Sequence, residues 1–310
     1  MKRFQKQIVT NQLTLPMAVI LCIACWAICY MMSPVASLRE TVVSFILYAI
    51  IGYLLIALNK TYAIIRLRAS FQTIVFLLLA AIFPDIHQLY AGNLMSLCWM
   101  GGLFLFFSCY QHNNPTGLIF HAFILWGIGS LLVPKFVWIF PFIWYASLTF
   151  RAFTLKSFIA SLFGWSIPVA AYAVYLFLNG QEAAMLEKAE EVIQIDLPLS
   201  LEHPTSIIVS FLFLVIIFIV SSVHCLSDSL AEKVQTRSYL QHLIIISLAL
   251  FVLMVLSPSD IPQLKPLLLM TLSLLYGHFA AITNSKWSNI FFIFVLLGMI
   301  PIFLLNLAVI

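Results

Sequence analysis

Three short stretches of this chain set a carboxylate beside a base, and a fourth offers a lysine alone. They are "SLRE" with Arg39 and Glu40, "FPDIH" with Asp85 and His87, "SPSDIPQLK" with Asp260 and Lys265, and Lys135 in "VPK". A carboxylate or imidazole at such a place is what general-base chemistry needs, and an arginine or lysine nearby is what a phosphate clamp needs. Glu40, Asp85, His87 and Asp260 are therefore the catalytic candidates, and Arg39 and Lys135 the substrate-binding ones. Simple anchoring at a membrane boundary is the competing role for each. No metal site is expected. Cys22 and Cys25 have CxxC spacing but lie inside an apolar run, where they read as small packing residues; neither disulfides, zinc nor any cofactor is expected.

The elements that must hold these residues are almost entirely hydrocarbon. Of 310 residues 63% are hydrophobic and 8% charged, far from the quarter or so of charged residues in a water-soluble globule, and no basic patch suggests a nucleic-acid partner. Runs such as "SIIVSFLFLVIIFIVSSV" show no apolar–polar alternation, which excludes a membrane barrel and leaves helices. The expected fold is an all-α polytopic transmembrane helix bundle forming one domain over residues 1–310. Apolar segments at 14–32, 42–58, 70–83, 93–110, 117–133, 136–150, 157–178, 205–226, 243–257, 267–283 and 289–309 give about eleven spans, within a range of nine to twelve. The segments at 70–83 and 136–150 are short for a straight crossing, so tilt or partial re-entry is open for both. The basic start "MKRFQK" leads into a spanning-length segment with no small-residue cleavage pattern, so the first segment is expected to be a retained helix.

Charge orients the bundle. With eleven spans and a cytoplasmic N-terminus, eleven of the fifteen bases fall inside and only Arg39, Lys135, Lys188 and Lys265 fall outside. Nine of the eleven acids fall outside, leaving Asp228 and Glu232 within. This tally favours two helices joined by a turn at Pro134-Lys135, the second kinked at Pro141, over one long helix through both prolines. The longest loop contains "EAAMLEKAEEVIQI", an amphipathic periplasmic helix within 181–204. Met185, Leu186, Ala189, Val192 and Ile193 are expected on its apolar face and Glu187, Lys188, Glu190 and Glu191 on its solvated one. "LPLSLEHP" then returns the chain in extended form. No charge sits at mid-span, which argues against coupled transport, and His121 reads as a helix–helix hydrogen-bond partner. Lys60, Arg66, Arg68, Arg151 and Lys156 on the inner side read as orientation signals.

The run from "LNKTYAIIRLRASFQTIVFLLLAAIFPD" through "GIGSLLVPKFVWIFPFIWYASLTFRAF" to "GWSIPVAAYAVYLF", roughly Leu58 to Leu178, resembles an uncharacterised family of polytopic inner-membrane proteins from Bacteroidetes. The "GSLLVP" turn, "FRAF" and the Gly-x-x-x-Pro of Gly164 and Pro168 carry most of that likeness. In organisation the chain is also similar, more weakly, to the GT-C class of membrane glycosyltransferases and polymerases, which use polyprenyl-phosphate sugars. That similarity implies a catalytic carboxylate on the outer face, here Glu40 with Asp85 second, although the stretch Ser33 to Thr41 is short and holds one acid. The expected function is a cell-envelope role at the outer leaflet of a bacterial inner membrane. Its partners would be membrane lipids, a lipid-linked glycan and a membrane-protein partner. The rival is a non-catalytic structural or accessory subunit of an envelope membrane complex.

Overall fold

A computed structural model describes residues 4–33, 37–65, 70–194, 204–227 and 232–309, and all of its regular elements among these residues are helical. In chain order they are α1 (Phe4–Thr10), α2 (Thr14–Met32), α3 (Leu38–Tyr62), α4 (Phe71–Ala81), α5 (Ala91–Phe107), α6 (Thr116–Leu132), α7 (Phe140–Thr149), α8 (Leu155–Leu178), α9 (Glu182–Ile193), α10 (Thr205–Ser227), α11 (Val234–Leu256), α12 (Ile261–Ile282) and α13 (Lys286–Leu307). Short 3-10 turns cover Pro84–Ile86, Pro134–Ile139 and Pro258–Asp260. Seven helices, α2, α3, α8, α10, α11, α12 with its preceding turn, and α13, are long and apolar enough to cross a bilayer. The chain is a multi-pass membrane protein. Only 22% of α2 and of α13 is buried by protein, so most of their apolar surface is left for lipid.

The helices form two compact units. One comprises Met1–Tyr90, Leu199–Ser247 and Leu268–Ile310, and the other Ala91–Pro198 and Leu248–Leu267.

In the first unit the segment expected at 70–83 is the eleven-residue α4, about 16 Å long, which is half of what a hydrocarbon core requires. Ten of its residues are buried, so it is an interior helix of this unit. Polar side chains fasten it from both sides, because lipid offers no solvent to satisfy them. Thr73 Oγ1 donates to the Gly52 carbonyl of α3 at 2.9 Å, and Gln72 lies under Gly277 of α12. Asn306 of α13 accepts from Ser210 of α10 at 3.2 Å and donates to the Ile82 carbonyl, just past the end of α4, at 3.1 Å.

In the second unit α5, α6 and α8 approach closely. Trp99 stacks on Trp126 at 5.3 Å between centroids, and Trp126 Nε1 donates to the Trp99 carbonyl. A Cβ on Gly164 would collide with the Phe120 carbonyl, and one on Gly127 with Pro168, so two glycines set the distance between α6 and α8. The buried face of α6 is Ile119, Ala122, Phe123, Trp126 and Ser130. His121 lies off that face, exposed, with its ring against Phe120; it does not bridge helices as expected.

Two expectations need correction in this unit. Residues 134–139 form a 3-10 turn, and Pro141 opens the short α7 instead of kinking a longer helix. Proline in the first helical turn sacrifices no hydrogen bond, which is why the chain restarts there. The amphipathic helix is present as α9, with Glu187 and Glu190 exposed and Met185 and Val192 partly buried as expected, but the division of its faces is incomplete. Leu186 and Ile193 are exposed, whereas Lys188 reaches inward to donate to the Leu131 carbonyl at 2.9 Å. Leu131 sits in the last turn of α6, where carbonyls lack helical partners and attract a cation. Trp138 Nε1 donates to the Val192 carbonyl at 2.8 Å and fixes the other end. The extended return over 197–204 and the inner bases Arg66 and Arg68 lie, apart from Pro204, outside the described residues.

Candidate functional site

The candidate residues fall into two groups, one in each unit. In the first unit Arg39 and Glu40 stand in the opening turn of α3, both exposed, and Glu40 there complements the positive end of the helix. Pro84 starts the 3-10 turn that follows α4 and turns Asp85 outward to solvent. Ser44 of α3 donates to the Ile86 carbonyl at 3.3 Å, tying this turn to the helix that carries Glu40.

His87 faces the opposite way. It is 4% exposed, its ring stacks on Trp26 at 3.9 Å, and Nε2 lies 3.0 Å from the Ala80 carbonyl. A carbonyl only accepts, so Nε2 carries the proton and Nδ1 is the bare nitrogen. That bond also satisfies one of the orphan carbonyls at the end of α4. Burial lowers the His87 pKa from 6.5 to about 4, against the opposing pull of the Ala80 bond and of Asp85. The imidazole is therefore neutral at pH 7 and works as a wedge beneath the turn, not as a base open to substrate.

Tyr90 closes the group. Its hydroxyl donates to Gln88 Oε1 at 3.2 Å. Its pKa is raised first by burial and then by the charges of Asp85 and Glu40, so both carboxylates act on one phenol. The structure thus brings together two acids that are 45 residues apart, with a tyrosine that the sequence reading did not single out. The signal available was an aromatic three residues after His87, in a segment already marked as polar.

In the second unit Lys135 and Asp260 are paired, Nζ to Oδ2 at 2.8 Å, with side chains 6% and 9% exposed. Each sits in a proline-initiated 3-10 turn, and Asp260 precedes the first turn of α12 where its charge is favoured. Lys265, a little further along α12, is also buried. Lys135 was expected to clamp substrate and Asp260 to act as a base, but each is occupied by the other inside protein. Two desolvated charges so held fasten two turns together.

Among the described residues no group of three His, Cys, Asp or Glu side chains is arranged to hold a metal ion. Comparison with protein-family models, with curated proteins and with solved structures finds no match to this chain.

Proposed function

We propose that the chain has a cell-envelope role in a bacterial inner membrane, handling a lipid-linked or glycan substrate at the outer leaflet in the manner of the GT-C class. Kinship with the Bacteroidetes inner-membrane family belongs to the same reading. The Ser44–Ile86 hydrogen bond, which sets the turn bearing the exposed Asp85 beside the opening turns of α3 that carry the exposed Glu40, carries it. Two carboxylates at a membrane boundary, on a turn braced from below by His87 and Trp26, can take a proton from an acceptor hydroxyl while the lipid carrier stays in the bilayer. Arg39, adjacent to Glu40, supplies a cation for a phosphate. Asp85 is the base in this reading, because its turn is held in place by the Ser44–Ile86 hydrogen bond and by the buried His87 stacked on Trp26.

The orientation that serves this function has a cytoplasmic N-terminus and eleven membrane-embedded segments, of which α4 and α7 are too short to cross unaided. The excess of bases on one set of loops and of acids on the other supports it. Cysteines introduced singly at Glu190 and Lys60 in a thiol-free background should label from opposite sides of the membrane, and labelling from one side would overturn the orientation.

The activity is tested in cells. Asp85→Asn should abolish the surface glycan and accumulate its lipid-linked precursor, and Glu40→Gln should reduce the glycan severalfold, at unchanged protein level. If both variants leave glycan and precursor as in the wild type, the catalytic reading fails. The accessory-subunit reading then takes its place and is pursued by purifying the chain with its partner.

A further inference from the structure

The six cysteines of the chain are all free thiols. Cys22, Cys25 and Cys29 lie along α2, and Cys109 donates to the Leu105 carbonyl at 3.3 Å. Cys225, near the end of α10, has a different neighbour. Its Sγ is 3.7 Å from Nδ1 of His278, a residue of α12 that comes 53 positions later. The other ring nitrogen of His278, Nε2, lies 3.8 Å from Oε1 of Glu232, in the segment that leads into α11. All three residues belong to the first unit. Thiol, imidazole and carboxylate are thus joined through the two nitrogens of one ring, the order in which a nucleophile, its base and the group that orients the base are arranged.

The two contacts agree on where the protons are. A carboxylate facing Nε2 holds the ring proton on that nitrogen, and Nδ1 is then the bare acceptor that faces the thiol. When the thiol proton passes to Nδ1 the ring becomes a cation, and Glu232 offsets that charge. The group is enclosed, with His278 1% exposed, the Glu232 side chain 5% and Cys225 5%. Enclosure strengthens the attraction between imidazolium and carboxylate. It also keeps a bulky substrate from the sulfur and favours a reagent scarcely larger than water.

A second observation comes from α10 itself. Ser221 and Ser222 stand four and three residues before Cys225, on the same helical face, and their hydroxyls are buried without a hydrogen-bond partner among the described residues. Ser227, by contrast, donates to the Val223 carbonyl one turn back at 2.6 Å. Two orphan donors on the face of Cys225 match an acceptor that arises there, a thiolate or an oxygen bound to the sulfur.

We infer that Cys225 is a modification site at which hydrogen peroxide oxidises the thiol to a sulfenic acid. Nδ1 of His278 takes the thiol proton, and the thiolate attacks one peroxide oxygen. An S–O bond forms as the O–O bond breaks, and the leaving hydroxide takes the proton from the imidazolium and departs as water. Sulfur loses two electrons and the peroxide gains them, so no further reactant is consumed. Glu232 is a positioning residue, and Ser221 and Ser222 donate to the new oxygen. The site is separate from Glu40 and Asp85 and does not rest on the function proposed for them.

The full chain in detergent, treated with hydrogen peroxide in the presence of dimedone, reports sulfenic acid at each cysteine by peptide mass spectrometry. Susceptibility follows thiolate character as well as exposure, so Cys225 should be labelled about tenfold faster than Cys25 and Cys98, although both of these are less buried. His278→Gln should slow labelling of Cys225 by about a hundredfold, the lower end of general-base assistance, and leave Cys25 and Cys98 unchanged. Glu232→Gln should slow it severalfold, and Glu232→Asp should keep most of the rate. Ser221→Ala combined with Ser222→Ala should also slow it severalfold while leaving the unmodified protein as stable as the wild type or more so. Labelling of Cys225 in the wild type no faster than that of Cys25 and Cys98 would overturn the inference without recourse to any variant. A Cys225 rate unmoved by His278→Gln would overturn it as well.

Discussion

The two candidate groups invert each other. At Glu40 and Asp85 the charges are outside and the supporting polar group, His87, is buried and neutral. At Lys135 and Asp260 the charges themselves are inside. An exposed carboxylate keeps most of its hydration, whereas a desolvated ion pair has exchanged water for partners within the protein and holds structure. The same residue types, read from sequence as one class of candidate, thus divide into an exposed rim, where the reaction is proposed, and a buried fastening.

The largest effect that would sharpen this contrast is expected at the fastening. Lys135→Met alone should lower the stability of the purified protein by roughly 3–5 kcal/mol, since it strands the Asp260 charge in protein. Adding Asp260→Leu should restore most of that loss. Denaturation of the two variants and the wild type in one detergent checks both. If the single and double variants are equally stable, the pair is not desolvated and the division between the two groups collapses.

Much of this arrangement was legible in the sequence, and the unread part has a common cause. Hydropathy located all the long helices, because lipid tests each segment by its own composition. The amphipathic segment was also found as α9. Lys188 departs from the solvated face because it answers to a carbonyl at the end of α6, 57 residues earlier, and helical periodicity cannot see that partner. For the same reason Lys135 and Asp260 were marked individually but not as a pair, being 125 residues apart. His87 reads as a base in the sequence because its neighbour Asp85 is local, while Trp26, which buries it, is not. Tyr90 went unmarked because a tyrosine in a loop acquires interest only when two distant acids act on it.

A second effect, smaller, tests the inverted role of His87. Its pKa is about 4 when folded and about 6.5 when unfolded, so the unfolded chain binds the proton first as pH falls. The stability it contributes is complete above pH 6.5 and is lost as pH drops toward 4, by roughly 3 kcal/mol over that window. Comparing the pH dependence of wild type and His87→Gln isolates this contribution from the other histidines. The wild type should lose more stability than the variant between pH 6.5 and 4. Parallel curves would mean that His87 is hydrated and belongs with the exposed acids.

The smallest effect is the most direct reading of the rim itself. Asp85→Asn and Glu40→Gln remove exposed charges, so each should change stability by no more than about 0.5 kcal/mol. Each should nevertheless ease the ionisation of Tyr90, whose pKa both carboxylates raise, and Asp85→Asn should do so more because its influence is the larger. Ultraviolet titration of each variant, with Tyr90→Phe in the same background subtracted to remove the other tyrosines, resolves the phenol. A downward shift in both variants, ordered Asp85 before Glu40, places the two acids around one point, as the proposed proton transfer requires. A Tyr90 titration unmoved by either substitution would separate the acids from the phenol and from each other, and the rim would then be a set of independent boundary charges.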